Sequence, residues 1–249
     1  QGQVSPVDIT ILEMMSFAFL FTVFLSGTVE AWTNSHARSS WSRSKLSNRR
    51  TIVAAWGDDI VWGTAKVLNN NQAADGLRSI TLDVGEALSS YSNPGMFCQI
   101  KESSDAKAGF YAIASAPGKG PSGTGSAEFL IKRTDSNGWL CDAKEESEII
   151  ISPPMGNGFP ISDKFDSFDN SFPVQNILLF AAGSGISPIR AAIESEKMRL
   201  DEGRKCTLYY GARDFSTMAY QDLFATWEDM GVTVCPVLSQ PEGDYTGRN

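Results

Sequence analysis

Between Trp56 and Pro154 apolar and polar positions alternate in short runs, the period-two pattern of half-buried strands. The runs are Ile60–Leu68, Leu77–Val84, Phe97–Lys101, Phe110–Ala114, Glu128–Arg133 and Glu148–Ser152; in the second, Ile80, Leu82 and Val84 mark one face. Clusters of Asn, Gly, Pro and Ser separate them, among them Asn69-Asn70-Asn71 and APGKGPSGTGS. With no convincing helical periodicity in this stretch, the pattern predicts an antiparallel six-stranded β-barrel over residues 51–165.

Beyond Phe172 the pattern changes. Asn176–Ala182 is a continuous apolar run, as in a parallel strand buried on both faces, and it breaks at Gly183-Ser184-Gly185. A helix is expected next, with Ser187 as N-cap, Pro188 at the first helical position, and Ile189, Ala192, Ile193 and Leu200 on its apolar face. Cys206–Gly211 reads as a strand. Tyr220–Met230 reads as a helix, with Tyr220, Leu223, Phe224 and Trp227 at i, i+3, i+4 and i+7, and Val232–Leu238 as a third strand. This βαβαβ order is half of a doubly wound parallel sheet. Residues 172–249 are therefore expected to form an α/β nucleotide-binding domain that is incomplete at its C-terminus.

The first fifty residues read as an address. Met14–Leu25, MMSFAFLFTVFL, is uncharged and mostly apolar, and small residues lead to Ala31. Its length of about 12 residues falls short of the roughly 20 of a membrane-spanning helix and suits a signal peptide cleaved after Ala31. Glu13 stands where a basic flank is usual, so Met14 or Met15 is expected to be the natural start. WTNSHARSSWSRSKLSNRR follows, rich in Ser and Arg and free of acidic residues, which is transit-peptide composition. A signal peptide joined to a transit peptide at an aromatic residue, Trp32, resembles the bipartite leaders of algal plastids of secondary origin. The alternatives are a buried or anchoring helix for the apolar part and a disordered basic linker for the rest. On the leader reading, residues 1–50 are absent from a plastid-located mature protein that has no stable membrane span.

Charge and residue usage narrow the chemistry. Positions 1–50 hold five Lys/Arg and three Asp/Glu, leaving 16 basic against 26 acidic residues in the body. Such a surface repels phosphate backbones, so nucleic acid is excluded as a partner. Cys98, Cys141, Cys206 and Cys235 have no metal-ligand spacing, which leaves buried or free thiols and no metal. The only histidine, His36, lies in the leader. The body thus has no His-based nucleophile pair or acid/base group, and any reactivity is expected to come from a bound cofactor.

Three segments carry candidate chemistry. In FAAGSGISPIR, residues 180–190, a strand delivers two glycines that let a pyrophosphate approach backbone N–H groups at a helix N-terminus. A purely structural turn would look the same. In GFYAIASAP, residues 109–117, Tyr111 could lie against a flat heteroaromatic and Ser115 could donate a hydrogen bond, or both could face a core edge. SPPMGNGF, residues 152–159, is either an interdomain loop or a ligand contact.

FYAIASAP, EFLIKR, GNGF, GSGISPIRAAIES, LYYGARD, MAYQDLF and PVLSQPEGDYTG, in this order, resemble the ferredoxin–NADP reductase superfamily. They are closest to its plant and algal plastid branch, the oxidoreductase-like proteins first described in kiwi fruit. The resemblance implies FAD, rather than FMN, on the barrel and NAD(P)H on the second domain. Tyr111 and Ser115 match the flavin-positioning Tyr and second Ser of the motif R-x-Y-[ST]-x-x-S, with Ile113 and Ala114 between them. Ser126 falls where a flavin-phosphate contact is expected, and Gly156 and Asn157 belong to the next matching segment. Gly183, Ser184, Gly185 and Pro188 match the pyrophosphate loop, and Gly211 and Arg213 the strand end near the adenosine ribose.

The motif's Arg is Gly109 here and its first Ser or Thr is Ala112. Losing that charged contact costs about 1.5–3 kcal/mol of flavin affinity unless another base such as Lys132 or Arg133 substitutes. The resemblance implies hydride transfer between NAD(P)H and flavin to an unknown electron acceptor. Ferredoxin is disfavoured because its own acidic surface calls for a basic partner. Arg213 beside Asp214 leaves the choice of nucleotide ambiguous, with the plastid leader favouring NADPH. The rival readings are a non-catalytic plastid scaffold that has lost stable flavin and a sensor that binds NAD(P)H.

Overall fold

The computed structural model describes residues 60–161 and 176–241, together with the backbone of β1 (Ile9–Met14) and β2 (Phe21–Ser26). The transit-like segment, His36 and the DYTG end of the last matching segment lie outside the described residues.

Six strands form the first unit: β3 (Gly63–Ala74), β4 (Leu77–Asp83), β5 (Phe97–Lys101), β6 (Gly109–Ala112), β7 (Ser126–Lys132) and β8 (Glu148–Ile151), with a single turn, α1 (Gly138–Cys141), before the last. Their order across the sheet is β6-β5-β8-β3-β4-β7, and every neighbouring pair is antiparallel. The two outer strands meet where Ile113 bridges to Phe129 and the Ala114 N–H donates to the Glu128 carbonyl at 2.7 Å, which closes the sheet into a barrel. Alternation sends Val67, Ile80, Leu82, Cys98, Ile100, Phe129 and Ile131 into the interior.

The first strand departs furthest from its expected limits, running Gly63–Ala74 where the pattern predicts Ile60–Leu68, while β4, β6, β7 and β8 shift by one or two residues at their ends. Asn69-Asn70-Asn71 lies inside β3 and does not separate strands. The Asn70 amide donates to the carbonyls of Cys141 and Ala143, at 3.2 and 2.7 Å, and its oxygen accepts from Arg78, so the central residue of the triplet is bonded across the barrel end. The real hairpin turn is Asp75-Gly76, between the paired residues Ala74 and Leu77, and Asp-Gly is a strong hairpin signal.

The second unit runs β9 (Asn176–Ala182), α2 (Ile186–Ile193), β10 (Lys205–Ala212), α3 (Phe224–Asp229) and β11 (Val232–Leu238), with β9, β10 and β11 parallel. Helix α2 starts earlier than expected. A 3-10 turn through Gly183–Gly185 runs straight into it, so Ser187 is not the N-cap and Pro188 is not the first helical residue. The Ser187 hydroxyl instead donates back to the Ser184 carbonyl at 2.8 Å. Leu200 falls outside α2, beyond the left-handed Arg199. Tyr220 also stands outside its expected helix, with φ of 63°, because its side chain is drawn across to the barrel, as described below.

Residues 1–50 are not wholly outside the sheet. β1 and β2 form a hairpin, and β2 adds antiparallel to β9 through Phe24–Leu178 and Leu25–Ile177. In a doubly wound sheet the place beside the first strand belongs to the fourth strand. Here β2 lies at that position, antiparallel to β9. The units share a core in which Ala74, Leu77 and Leu130 of the barrel pack with Ile177, Leu179, Ile186 and Ile189. Cys98, Cys141 and Cys206 are buried and all four cysteines are free. No helix among the described residues is long and apolar enough to cross a membrane.

Candidate nucleotide and flavin site

The nucleotide half is built from backbone. β9 ends at Ala182, and Gly183 turns the chain with φ of 51°, a conformation that disfavours any side chain. A Cβ placed on Gly183 would meet nothing within 4 Å, so space lies open in front of the loop. Gly185 then leads into α2, which starts without a side-chain cap, its first N–H, that of Ile186, bonding back to the Gly183 and Ser184 carbonyls of the turn. The Tyr210 hydroxyl steadies the loop, donating to the Gly183 carbonyl at 3.2 Å while accepting from the Ala219 N–H. Ser184 belongs to the same turn, and Pro188 is buried in α2 and fixes its first turn.

Gly211 pairs with Ala182, so the two strand ends lie side by side. Two residues on, Arg213 donates from Nε to Asp214 at 2.8 Å, and Asp214 caps the turn Phe215–Thr217 through the Thr217 N–H. The Arg213 guanidinium and the Ser216 hydroxyl hold the Asp214 carboxyl well below the usual carboxylate range. Bare backbone, open space, a helix N-terminus and an adjacent cation fit an anionic dinucleotide.

The barrel half differs from expectation. Tyr111 pairs with Cys98, a fully buried interior residue, and packs against the barrel core. Burial pushes its phenol up, the nearby Asn137 side chain opposing this in part. Phe110, on the opposite face, is 51% exposed and its ring lies 5.8 Å from that of Phe97. Gly109 shares the inner face with Tyr111, and a Cβ there would lie 2.5 Å from the Tyr111 hydroxyl. The missing motif Arg and the inward Tyr are thus one change: a side chain at 109 would collide with the ring beside it.

The hydroxyls expected to reach a flavin are engaged locally. Ser115 Oγ accepts from the Glu128 N–H at 3.1 Å, and its carbonyl accepts from the Tyr91 hydroxyl. Ser126 Oγ accepts from Ser122 N–H and donates to the Gly123 carbonyl. Ile113 and Ala114 are buried where the barrel closes. Arg133 forms a two-bond pair with Asp142, at 2.7 and 2.6 Å, and so does not replace the motif base, whereas Lys132 is exposed on β7. Gly156 lies against the Phe97 ring, and the Asn157 carbonyl accepts from Asn93, which in turn accepts from Lys197 of the second unit. The outer face of β5 and β6, with Phe97, Phe110 and Gly156, therefore fits a flat ring, while the motif segment offers no cation for a phosphate. Strand alternation in the sequence separates Phe110 from Tyr111 but does not say which of them faces out.

An antiparallel six-stranded barrel followed by a parallel three-stranded α/β unit is the fold of the ferredoxin reductases. The family model for the oxidoreductase NAD-binding domain matches residues 179–249. A fruit protein of Actinidia deliciosa, pKIWI502, is 30% identical over 185 residues, which are 70% of this chain and 56% of that protein. The chain thus spans about half the length of that relative. Among solved structures, the CS-b5R domains of human Ncb5or in the NAD+ form superpose with a TM-score of 0.61 at 16% identity, covering 97% of this chain and 67% of that one. The ferredoxin-NADP+ reductase of Plasmodium falciparum gives 0.53 at 17% identity, covering 71% and 70%. The chain thus shares the fold of the ferredoxin reductases, and its second unit is similar to the NAD-binding domain of oxidoreductases.

Proposed function

We propose that this protein is a NAD(P)H-dependent flavoprotein oxidoreductase. The observation that carries the reading is the open loop at Gly183–Gly185, set at the end of β9 beside Gly211 and within the NAD-binding match. The backbone N–H groups of that loop hold the pyrophosphate at the positive end of α2, Gly211 leaves room beside the ribose, and Arg213 meets a 2′-phosphate. Phe110, backed by Phe97, carries the flavin ring on the outer face of the barrel, the role that the motif alone gives to Tyr111. When bound, FAD supplies the acceptor for the nicotinamide hydride, so the chain needs to position two ligands and exclude water and needs no ionisable catalyst.

The final electron acceptor is a partner of basic or neutral surface, since the chain's net charge of −8 disfavours an acidic ferredoxin. The basic, Ser-rich segment after Ala31 supports a plastid location and, with it, NADPH.

Gly109 and the engaged hydroxyls of Ser115 and Ser126 favour a second reading, a scaffold that keeps the nucleotide loop without stable flavin. Equilibrium titration of the purified full-length chain with FAD and, separately, with NADPH and NADH distinguishes the two. Binding of both cofactors supports the reductase, nucleotide binding alone supports the scaffold, and binding of neither removes both.

A further inference from the structure

Glu128 of the barrel strand β7 is 7% exposed, and its carboxylate points into the second unit. One oxygen receives the Arg190 guanidinium at 2.7 Å. The other accepts the Tyr220 hydroxyl at 2.8 Å and the Ser79 hydroxyl at 2.6 Å. Arg190 lies on α2, pairs with Glu194 at 2.8 Å, and sits 4.5 Å from the centre of the Tyr220 ring. Trp227 donates to the same Glu194 oxygen at 3.3 Å. Burial alone would lower the Arg190 guanidinium, but Glu128, Tyr220 and Glu194 together raise it, so the cation stays charged. Tyr220 is held in a left-handed backbone conformation while it makes this contact.

Glu128 is tied by its backbone to the other half of the site. Its N–H bonds Ser115 Oγ and its carbonyl bonds the Ala114 N–H, so it is fixed to the end of the strand that carries Phe110. Arg190 stands on the helix that begins at the glycine loop. The buried Glu128–Arg190 pair thus joins the ring-bearing strand to the helix of the nucleotide loop, while a second pair between the units, Lys119–Glu196, is exposed.

We propose that Glu128, Arg190 and Tyr220 form an interdomain latch that sets the separation and angle of the flavin and nucleotide sites. These are positioning residues, acting through the geometry of the two ligands. A buried ion pair adds little stability over an apolar packing of the same shape, yet it admits only one alignment of its partners, whereas apolar surfaces can slide. Stability and alignment are therefore separable by substitution. The proposal rests on the reductase reading only where hydride transfer is the readout.

Three variants of the full-length chain test it: Arg190→Met, Arg190→Lys and the double variant Glu128→Leu with Arg190→Met. Arg190→Met leaves a buried carboxylate without its cation. It is expected to split thermal unfolding into two transitions and to raise the radius of gyration by small-angle scattering. The double variant is expected to unfold again in one transition. With FAD bound, its rate of flavin reduction at saturating NAD(P)H should stay roughly 100-fold below wild type, the size of effect expected for a misalignment of about 1 Å. Its nucleotide affinity should stay within about twofold of wild type, because the loop is untouched. Arg190→Lys keeps the charge and should recover part of the rate. Wild-type scattering and a single transition in Arg190→Met, or a wild-type reduction rate in the double variant, would overturn the latch. Should wild type bind no flavin, the reductase reading fails and the unfolding and scattering results alone decide the latch.

Discussion

The two halves of the site are built from different materials. At Gly183–Gly185 the surface proposed to meet the nucleotide is backbone, with open space in front of it and the start of α2 behind. At Gly109–Ser115 it would have to be side chains, and there the phenol faces inward and the Ser115 hydroxyl bonds a neighbouring strand. A glycine loop between a strand and a helix can face only one way, since the elements on either side fix its direction. A strand can present either of two faces, and a one-residue change of phase exchanges every side chain between them.

This contrast breaks most readily at the loop. Gly183→Val adds a side chain at φ of 51° and fills the space in front of the turn. It should weaken NAD(P)H binding by at least roughly tenfold and leave flavin binding within about twofold, while the strained backbone costs about 1–2 kcal/mol of stability. Isothermal titration with each cofactor, alongside denaturant unfolding, reads the three quantities separately. Unchanged nucleotide affinity would remove the loop from the site.

On the barrel side, Phe110→Ala should raise the dissociation constant for FAD by roughly tenfold, from lost stacking and lost apolar contact. Tyr111→Phe keeps the interior packing and should change it by less than about twofold. Flavin fluorescence quenching measures both. The reverse order would return the ring-bearing role to Tyr111.

Much of this was legible in the sequence. The limits of β5, β9 and β11 are those the hydrophobic pattern predicts, because each is bounded by clear turn residues or glycine. The glycine loop was legible because its meaning is local. The inward turn of Tyr111 was not, since it depends on which face of β6 meets Cys98 across the sheet. Nor was the Glu128–Arg190 pair, whose members lie 62 positions apart and meet only once the barrel docks. Tyr220 fits helical spacing with Leu223 and Phe224, and only its bond to Glu128 explains why it stands outside the helix.

Smaller effects sharpen the picture. Arg213→Ala should raise the KM for NADPH by about three- to tenfold and leave that for NADH nearly unchanged, since only the 2′-phosphate contact is lost. Because Arg213 already pairs with Asp214, Asp214→Asn should strengthen NADPH binding slightly. Equal effects of Arg213→Ala on both nucleotides would remove it from the site.

The dependence of stability on pH follows from burial. The Cys98 and Cys206 thiols are pushed up to about 12 by burial, and the Tyr210 phenol likewise to about 12. These groups stay neutral in the fold and ionise more readily when unfolded. Their contribution is complete below the ordinary thiol pKa of 9.0 and is lost as pH rises towards 12. Melting temperature should therefore fall steadily above about pH 9, and thiol reagents at neutral pH should label Cys235, the partly exposed cysteine, far faster than the other three. The β1–β2 hairpin and the leader reading also part company here: N-terminal sequencing of the mature protein should begin near Thr51 if the leader is removed, and an intact Phe21–Ser26 would establish β2 as a lasting edge strand.

The central claim is that the glycine loop and the outer barrel face bring a nicotinamide and a flavin together for hydride transfer. Anaerobic stopped-flow mixing of the FAD-loaded chain with NADPH deuterated at nicotinamide C4 tests it most directly. Loss of the oxidised flavin absorbance, slowed by deuterium relative to unlabelled nucleotide, is the result the proposed reductase function predicts. A chain that binds both cofactors while its flavin stays oxidised would contradict it.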